Sequence, residues 1–222
     1  ALLAQLLCSD PKRLAEALKA AVHACALDAG GTEMILLKAE FLERSGRAED
    51  SAEWLESVLE KDPSNSIIRS EISQIHTFNG RREEAWAVIE DAPNWGGPEL
   101  HIQKGRLLLA DYDANRDAGH SDTDILSAAE ATFREALESD RECGLAWLCL
   151  ARCQRLAGDI DEAIISLNRS RRLMDDPMIA AEESLIAVDE GRIDDAARLI
   201  DEADITESKS LVIPYVKGLV AA

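Results

Sequence analysis

Apolar positions between Gly144 and Pro177 recur with the period of two successive helices. The first predicted helix carries Trp147, Leu150, Ala151 and Gln154 on one stripe. Gly158 interrupts it, and a second stripe follows at Ala163, Leu167 and Ser170 before Pro177. Spacings of three and four place these residues on one helical face. The small residues Ala151 and Ala163 suit a close crossing of the two helices, with Trp147, Leu150 and Leu167 filling the space around it. Gly158 suits a left-handed turn at the end of the first helix, and Asp159 or Asp161 suits the cap of the second.

The same frame recurs along the chain. From Thr32 it gives Ala39, Gly46, Ser51, Leu55 and Val58; from Ser66 it gives Ile72, Ser73, Gly80, Ala85 and Ile89. A unit from Pro98 places Gly105 at its crossing, with Ala129, Phe133 and Ala136 on the second helix, and a unit after Asp176 shows Ser184, Gly191, Ala196 and Ile200. The frame predicts one domain over 1–222, in units of about 1–31 (clipped), 32–65, 66–97, 98–143, 144–177, 178–210 and a half unit at 211–222. The unit at 98–143 exceeds the others by about a dozen residues against a period of about 34, and the excess is assigned to an inserted loop at 111–123. The chain begins without Met and is expected to be a segment of a longer array.

This pattern of a large residue, Leu, a small residue, a Gly turn, and then small, large and Ala positions resembles the tetratricopeptide repeat, and the resemblance covers essentially the whole chain. It implies an all-α fold, a right-handed α-solenoid of stacked antiparallel helix–turn–helix units, because one hairpin cannot bury both its faces. It also implies a non-enzymatic scaffold or adaptor that binds a peptide or partner protein in the concave groove lined by first helices. Two alternatives stand beside it: the interaction domain of a larger enzyme such as a transferase, and an assembly protein for envelope or polysaccharide export.

Composition narrows the partner. Alanine and leucine dominate the apolar residues, which favours helices. The formal net charge of -19 repels phosphate backbones and anionic membrane surfaces, so neither nucleic acid nor membrane is an expected partner. No apolar run reaches the length of a membrane span, about 18–20 residues. The five cysteines are odd in number and irregularly spaced. They read as buried, reduced thiols, placing the protein in the cytoplasm with the periplasm as the alternative. Cys149 and Cys153 lie one helical turn apart with no histidine nearby, and no metal or other cofactor is expected. No catalytic set emerges either.

Helical phase selects the groove-facing side chains: Glu40, Gln74, Arg106, Leu148, Arg152, Arg155, Met178 and Leu185, with Tyr215 further on. Arg106 and Arg152 hold equivalent places in adjacent units, and Arg155 lies about one turn beyond Arg152. These guanidiniums suit a carboxylate or an acidic peptide, or else pair with the many local Asp and Glu residues. The family's Lys and Asn pattern for chaperone tails is absent, since the corresponding places read Glu40, Gln74 and Arg106. The stretch Asp111–Asp122 alternates oxygen-bearing residues as a calcium loop does, but Arg116 stands where that loop needs glycine; an acidic surface loop followed by a helix cap accounts for it. Trp95, in a Gly-Pro connection, is a further contact candidate, and residues 211–222 are expected to leave an apolar surface that a later helix or another chain covers, a homodimer being one way.

Overall fold

The computed structural model describes residues 31–93, 97–120 and 122–202. Ten helices and no strands occur among them. The first unit of the sequence frame, the C-terminal half unit, Trp95 and Tyr215 lie outside the described residues. The sequence predicts one domain; the chain divides into two compact units, residues 1–103 and 104–222, with the boundary inside one long helix.

The first unit holds α1 (Thr32–Arg44), α2 (Ala48–Leu59), α3 (Ser66–Phe78) and α4 (Arg82–Glu90). They form two antiparallel hairpins, α1 with α2 and α3 with α4, and α2 also packs on α3. The crossings sit at small residues. Ser51 Oγ donates to the Ala39 carbonyl at 3.1 Å, and Ser73 Oγ donates to the Ala85 carbonyl at 2.9 Å. Each serine lets the helices approach and satisfies its own hydroxyl on the neighbour's backbone, so a small polar residue serves as well as alanine. Leu55, Ile68, Ile72 and Ile75 pack around Ala39 and Ala52. Asn65 caps α3 by accepting from the Ile68 amide at 3.1 Å.

The boundary lies in α5 (Pro98–Asp117), and the second unit continues with α6 (Thr123–Ser139), α7 (Gly144–Ala157), α8 (Ile160–Leu173), α9 (Pro177–Asp189) and α10 (Ile193–Glu202). Its crossings follow the same rule. Ala151 and Ala163 are fully buried, and Ser184 Oγ donates to the Ala196 carbonyl at 2.8 Å. At the α5–α6 crossing a Cβ on Gly105 would lie 2.6 Å from the Phe133 ring, so that position is restricted to glycine unless the ring moves.

Two expectations are corrected here. The excess residues of the long unit do not form a loop over 111–123, because α5 continues to Asp117. Tyr112 is buried and extends the apolar stripe of Leu109 by one turn, so the helix gains more by continuing than by breaking. Gly119, at φ +84°, makes the turn instead. Asp111, Asp113, Asn115 and Asp117 are therefore spread around a helix rather than gathered around a loop. The cap expected near Ser121–Asp124 is present: Asp122 accepts from the Asp124 and Ile125 amides at 3.1 and 3.4 Å. The second correction concerns α8. Gly158 ends α7 at φ +89° as the frame predicts, and Asp159 stands at the N-cap, but its side chain makes no capping bond. Asp161 and Glu162 in the first turn favour the helix through its dipole instead.

Candidate functional site

In the second unit, α5, α7 and α9 are joined by charge. Arg152 Nη2 on α7 donates to Asp113 Oδ2 on α5 at 2.5 Å. One turn along α7, Arg155 Nε donates to Glu182 Oε1 on α9 at 2.5 Å, and its Nη1 donates to Asp189 Oδ2 at 2.9 Å. The result is a ladder of ion pairs across three consecutive first helices.

Its rungs differ in burial. The Arg155 and Glu182 side chains are only 10% and 4% exposed, whereas Arg152 is 33% exposed. Burial works against the charge on Arg155, but Glu182 and Asp189 together more than offset it and hold its pKa above the ordinary arginine value. Arg106 and Arg152 both act on the Cys149 thiol and favour its thiolate. Burial outweighs them and pushes the Cys149 pKa up to about 11.

The other predicted site residues sort by exposure. Glu40 on α1 is exposed and pairs with Arg44 at 3.4 Å. Gln74 on α3, Arg106 on α5 and Met178 on α9 are half-buried. Leu148 and Leu185 do not line an open surface. Both are buried, and Leu148 packs with Ala151, Ala163, Leu167, Ile179 and Ile186. The neighbouring hairpin covers Leu148, which helical phase within one hairpin does not reveal.

Sequence reasoning missed three buried polar residues. Glu182, the chief partner of Arg155, reads as one more surface acid. Arg69 is buried and donates to the Val88 carbonyl at 2.8 Å and the Pro63 carbonyl at 3.0 Å, tying α3 to the end of α4. Gln103 is buried and donates to Ser73 Oγ at 3.2 Å. For Arg69 the available signal was a polar residue at the stripe position that Trp147 holds in its own unit, which implies a buried partner. Among the described residues, no group of three or more His, Cys, Asp or Glu is arranged to hold a metal ion. No helix among them is long and apolar enough to cross a membrane.

Residues 126–177, from within α6 to the start of α9, match the tetratricopeptide repeat family model. No curated protein matches the chain. Among solved structures, it is similar to TTC0263, a thermophilic tetratricopeptide protein of Thermus thermophilus, with a TM-score of 0.66 and 18% identity over 86% of this chain and 100% of that one. It is similar to PilW, a widely conserved type IV pilus biogenesis factor, with a TM-score of 0.61 and 17% identity over 97% of this chain and 96% of that one. A third is the IFIT1 monomeric mutant with Gppp-AAAA, with a TM-score of 0.68 and 17% identity over 91% of this chain and 48% of that one. The chain thus spans about half the length of that IFIT1 chain. At such identities the likeness is one of fold. The chain thus has the fold of a tetratricopeptide-like helical repeat, with a match to the family model over residues 126–177.

Proposed function

We propose that this chain is a non-enzymatic scaffold that holds a peptide or partner protein against the faces of its first helices. The observation that carries this reading is the repetition, within each unit, of polar side chains at one frame position that are not fully buried: Glu40 on α1 and Gln74 on α3 in the first unit, Arg106 on α5 and Arg152 on α7 in the second. Within a unit, a surface repeated in register suits an extended ligand that meets one side chain per hairpin. The charge of -19 favours a basic or mixed-charge partner over nucleic acid. The reduced thiols Cys143, Cys149 and Cys153 favour the cytoplasm. Self-association through residues 211–222 belongs to the same proposal, and a mass that rises with concentration in sedimentation equilibrium would support it.

A photo-cross-linking residue placed at Glu40 or Gln74 tests the scaffold reading, with exposed Glu53 on α2 as the control. The reading expects both first-helix positions to capture the same protein in the source cell and Glu53 not to. Equal capture from all three positions refutes it. A second reading, a subunit in assembly of an envelope structure, is favoured by the likeness to PilW over nearly the full length of both chains. Under that reading the captured protein is an envelope component.

A further inference from the structure

The repeat frame builds one groove twice, once in each unit, and the two copies differ in charge. In the first unit a groove of about 780 Å³ opens between α2, α3 and α4. In the second a groove of about 370 Å³ opens between α6, α7 and α8. The frame shift that takes Ser66 to Gly144 takes Leu59 to Leu137 and Ile72 to Leu150, so the apolar floors correspond. The same shift takes Glu56 to Arg134, Pro63 to Arg141 and Asp91 to Arg169. Only the acid at Glu60 and Glu138 is common to both rims. In a chain with 43 acids against 24 bases, three arginines stand at rim positions of the second groove where the first has Glu56, Pro63 and Asp91, and the arginine that lines the first, Arg69, is bound to the Val88 and Pro63 carbonyls; the rims are locally inverted in charge.

We propose that the α6–α7–α8 groove is a second docking site, which takes an acidic segment of a partner protein with an apolar side chain beside its carboxylates. The proposal rests on the scaffold reading but on a different surface, since Trp147 and Leu150 lie on another face of α7 from Arg152 and Arg155. The groove is set for such a ligand. The Trp147 indole N–H donates to the Arg141 carbonyl at 2.9 Å, which fixes the ring. Arg169 lies over that ring, 4.5 Å from its centroid, a stacking that orients a guanidinium and leaves its edge free to donate. Arg134 holds Glu130 at 2.7 Å, beside the groove. Among the described residues, Arg141 meets no carboxylate, nor does Arg172, which lies next to Arg169 in an adjoining hollow. Ile165, half-exposed at 49%, supplies apolar surface at the rim. Arginines pair with carboxylates in a bidentate manner, and the exposed Ile165 with the pinned Trp147 suits an aliphatic neighbour. Polyphosphate chains fit less well, because they carry no apolar group to meet Ile165 and Trp147.

The test uses the whole chain and a fluorescein-labelled peptide of alternating aspartate and glutamate around a central leucine, followed by fluorescence anisotropy. The expected result is binding that weakens as salt rises, and at least about a tenfold loss of affinity in Arg141→Glu/Arg169→Glu, the scale of losing a charge-assisted hydrogen bond. Arg141→Ala/Arg172→Ala, which disturbs no internal ion pair, is expected to lose several-fold and decides the matter if the first variant does not fold. Cross-linking from Glu40 and Gln74 is expected to persist in both variants, so failure here leaves the first-helix reading standing. The proposal is overturned by no binding of the acidic peptide, by unchanged affinity in the alanine variant, or by tighter binding of a single-stranded oligothymidylate of equal charge.

Discussion

Replacing Arg155 by methionine should be among the most damaging single changes to the second unit. Its guanidinium is held by Glu182 and Asp189 at 2.5 and 2.9 Å, and the Glu182 side chain is 4% exposed. Methionine keeps much of the side-chain volume and removes the charge, which leaves the Glu182 carboxylate buried with its cation gone. Breaking one side of a buried pair costs about 3–5 kcal/mol. Removing both sides is far milder, because the cost lies in the orphaned charge rather than in a lost attraction. Arg155→Met/Glu182→Leu should therefore recover most of the loss, and the coupling energy in the double-mutant cycle should be about 3 kcal/mol. Urea titration followed by far-ultraviolet circular dichroism on the four chains measures it. If Arg155→Met costs less than about 1 kcal/mol, the value of an exposed pair, or if the double variant falls by the sum of the singles, the pair is screened by solvent. Arg155 would then be available to an incoming carboxylate. With the predicted coupling, Arg155 is structural, and of the three arginines marked in the sequence Arg106 and Arg152 remain the ones accessible to a ligand.

Gly105→Ala should destabilise the second unit by about 1–3 kcal/mol through overpacking against the buried Phe133 ring, less about 1 kcal/mol regained in helix propensity. Adding Phe133→Leu should make the alanine tolerable, and a urea midpoint that Gly105→Ala raises would refute the close crossing. His76 is buried and near Arg81, and both depress its pKa below the ordinary 6.5. The unfolded chain therefore takes up this proton first, so stability is lost as pH falls below about 6.5. His76→Asn should flatten that part of the stability–pH profile, and an identical profile in the variant counts against it. Cys149, with its pKa pushed up to about 11, should react with iodoacetamide at pH 8 about a hundredfold more slowly in the folded chain than in urea, where the ordinary value of 9.0 applies. Burial pushes Cys153 higher still. Peptide mapping by mass spectrometry reads both sites, and equal labelling of folded and unfolded chain contradicts the assignment.

Local rules carried the hairpins. The sequence alone placed the crossings at Ala39 and Ser51, Ser73 and Ala85, Ala151 and Ala163, and Ser184 and Ala196, because a short side chain at a fixed offset is a requirement written into each hairpin. It placed Gly158 at a left-handed turn and Gly105 at the crossing of its unit for the same reason, whereas only the packed helices show the Phe133 ring filling the space beside Gly105. Tertiary structure decided what depends on the neighbouring hairpin. Leu148 and Leu185 satisfy the helical phase of a groove face, yet both are buried, and for Leu148 the next hairpin supplies the cover. Glu182 is indistinguishable in sequence from the other acids, and only the approach of α7 and α9 makes it the buried partner of Arg155. The stretch after Asp111 looked polar enough for a loop until the burial of Tyr112 showed one more turn of helix packed on the core. Opposite rims on two frame-equivalent grooves emerge only when three helices are assembled around each. A repeat sequence states the contacts within a unit, whereas the surface a partner meets is made between units, where nearest-neighbour packing chooses which charges remain in water.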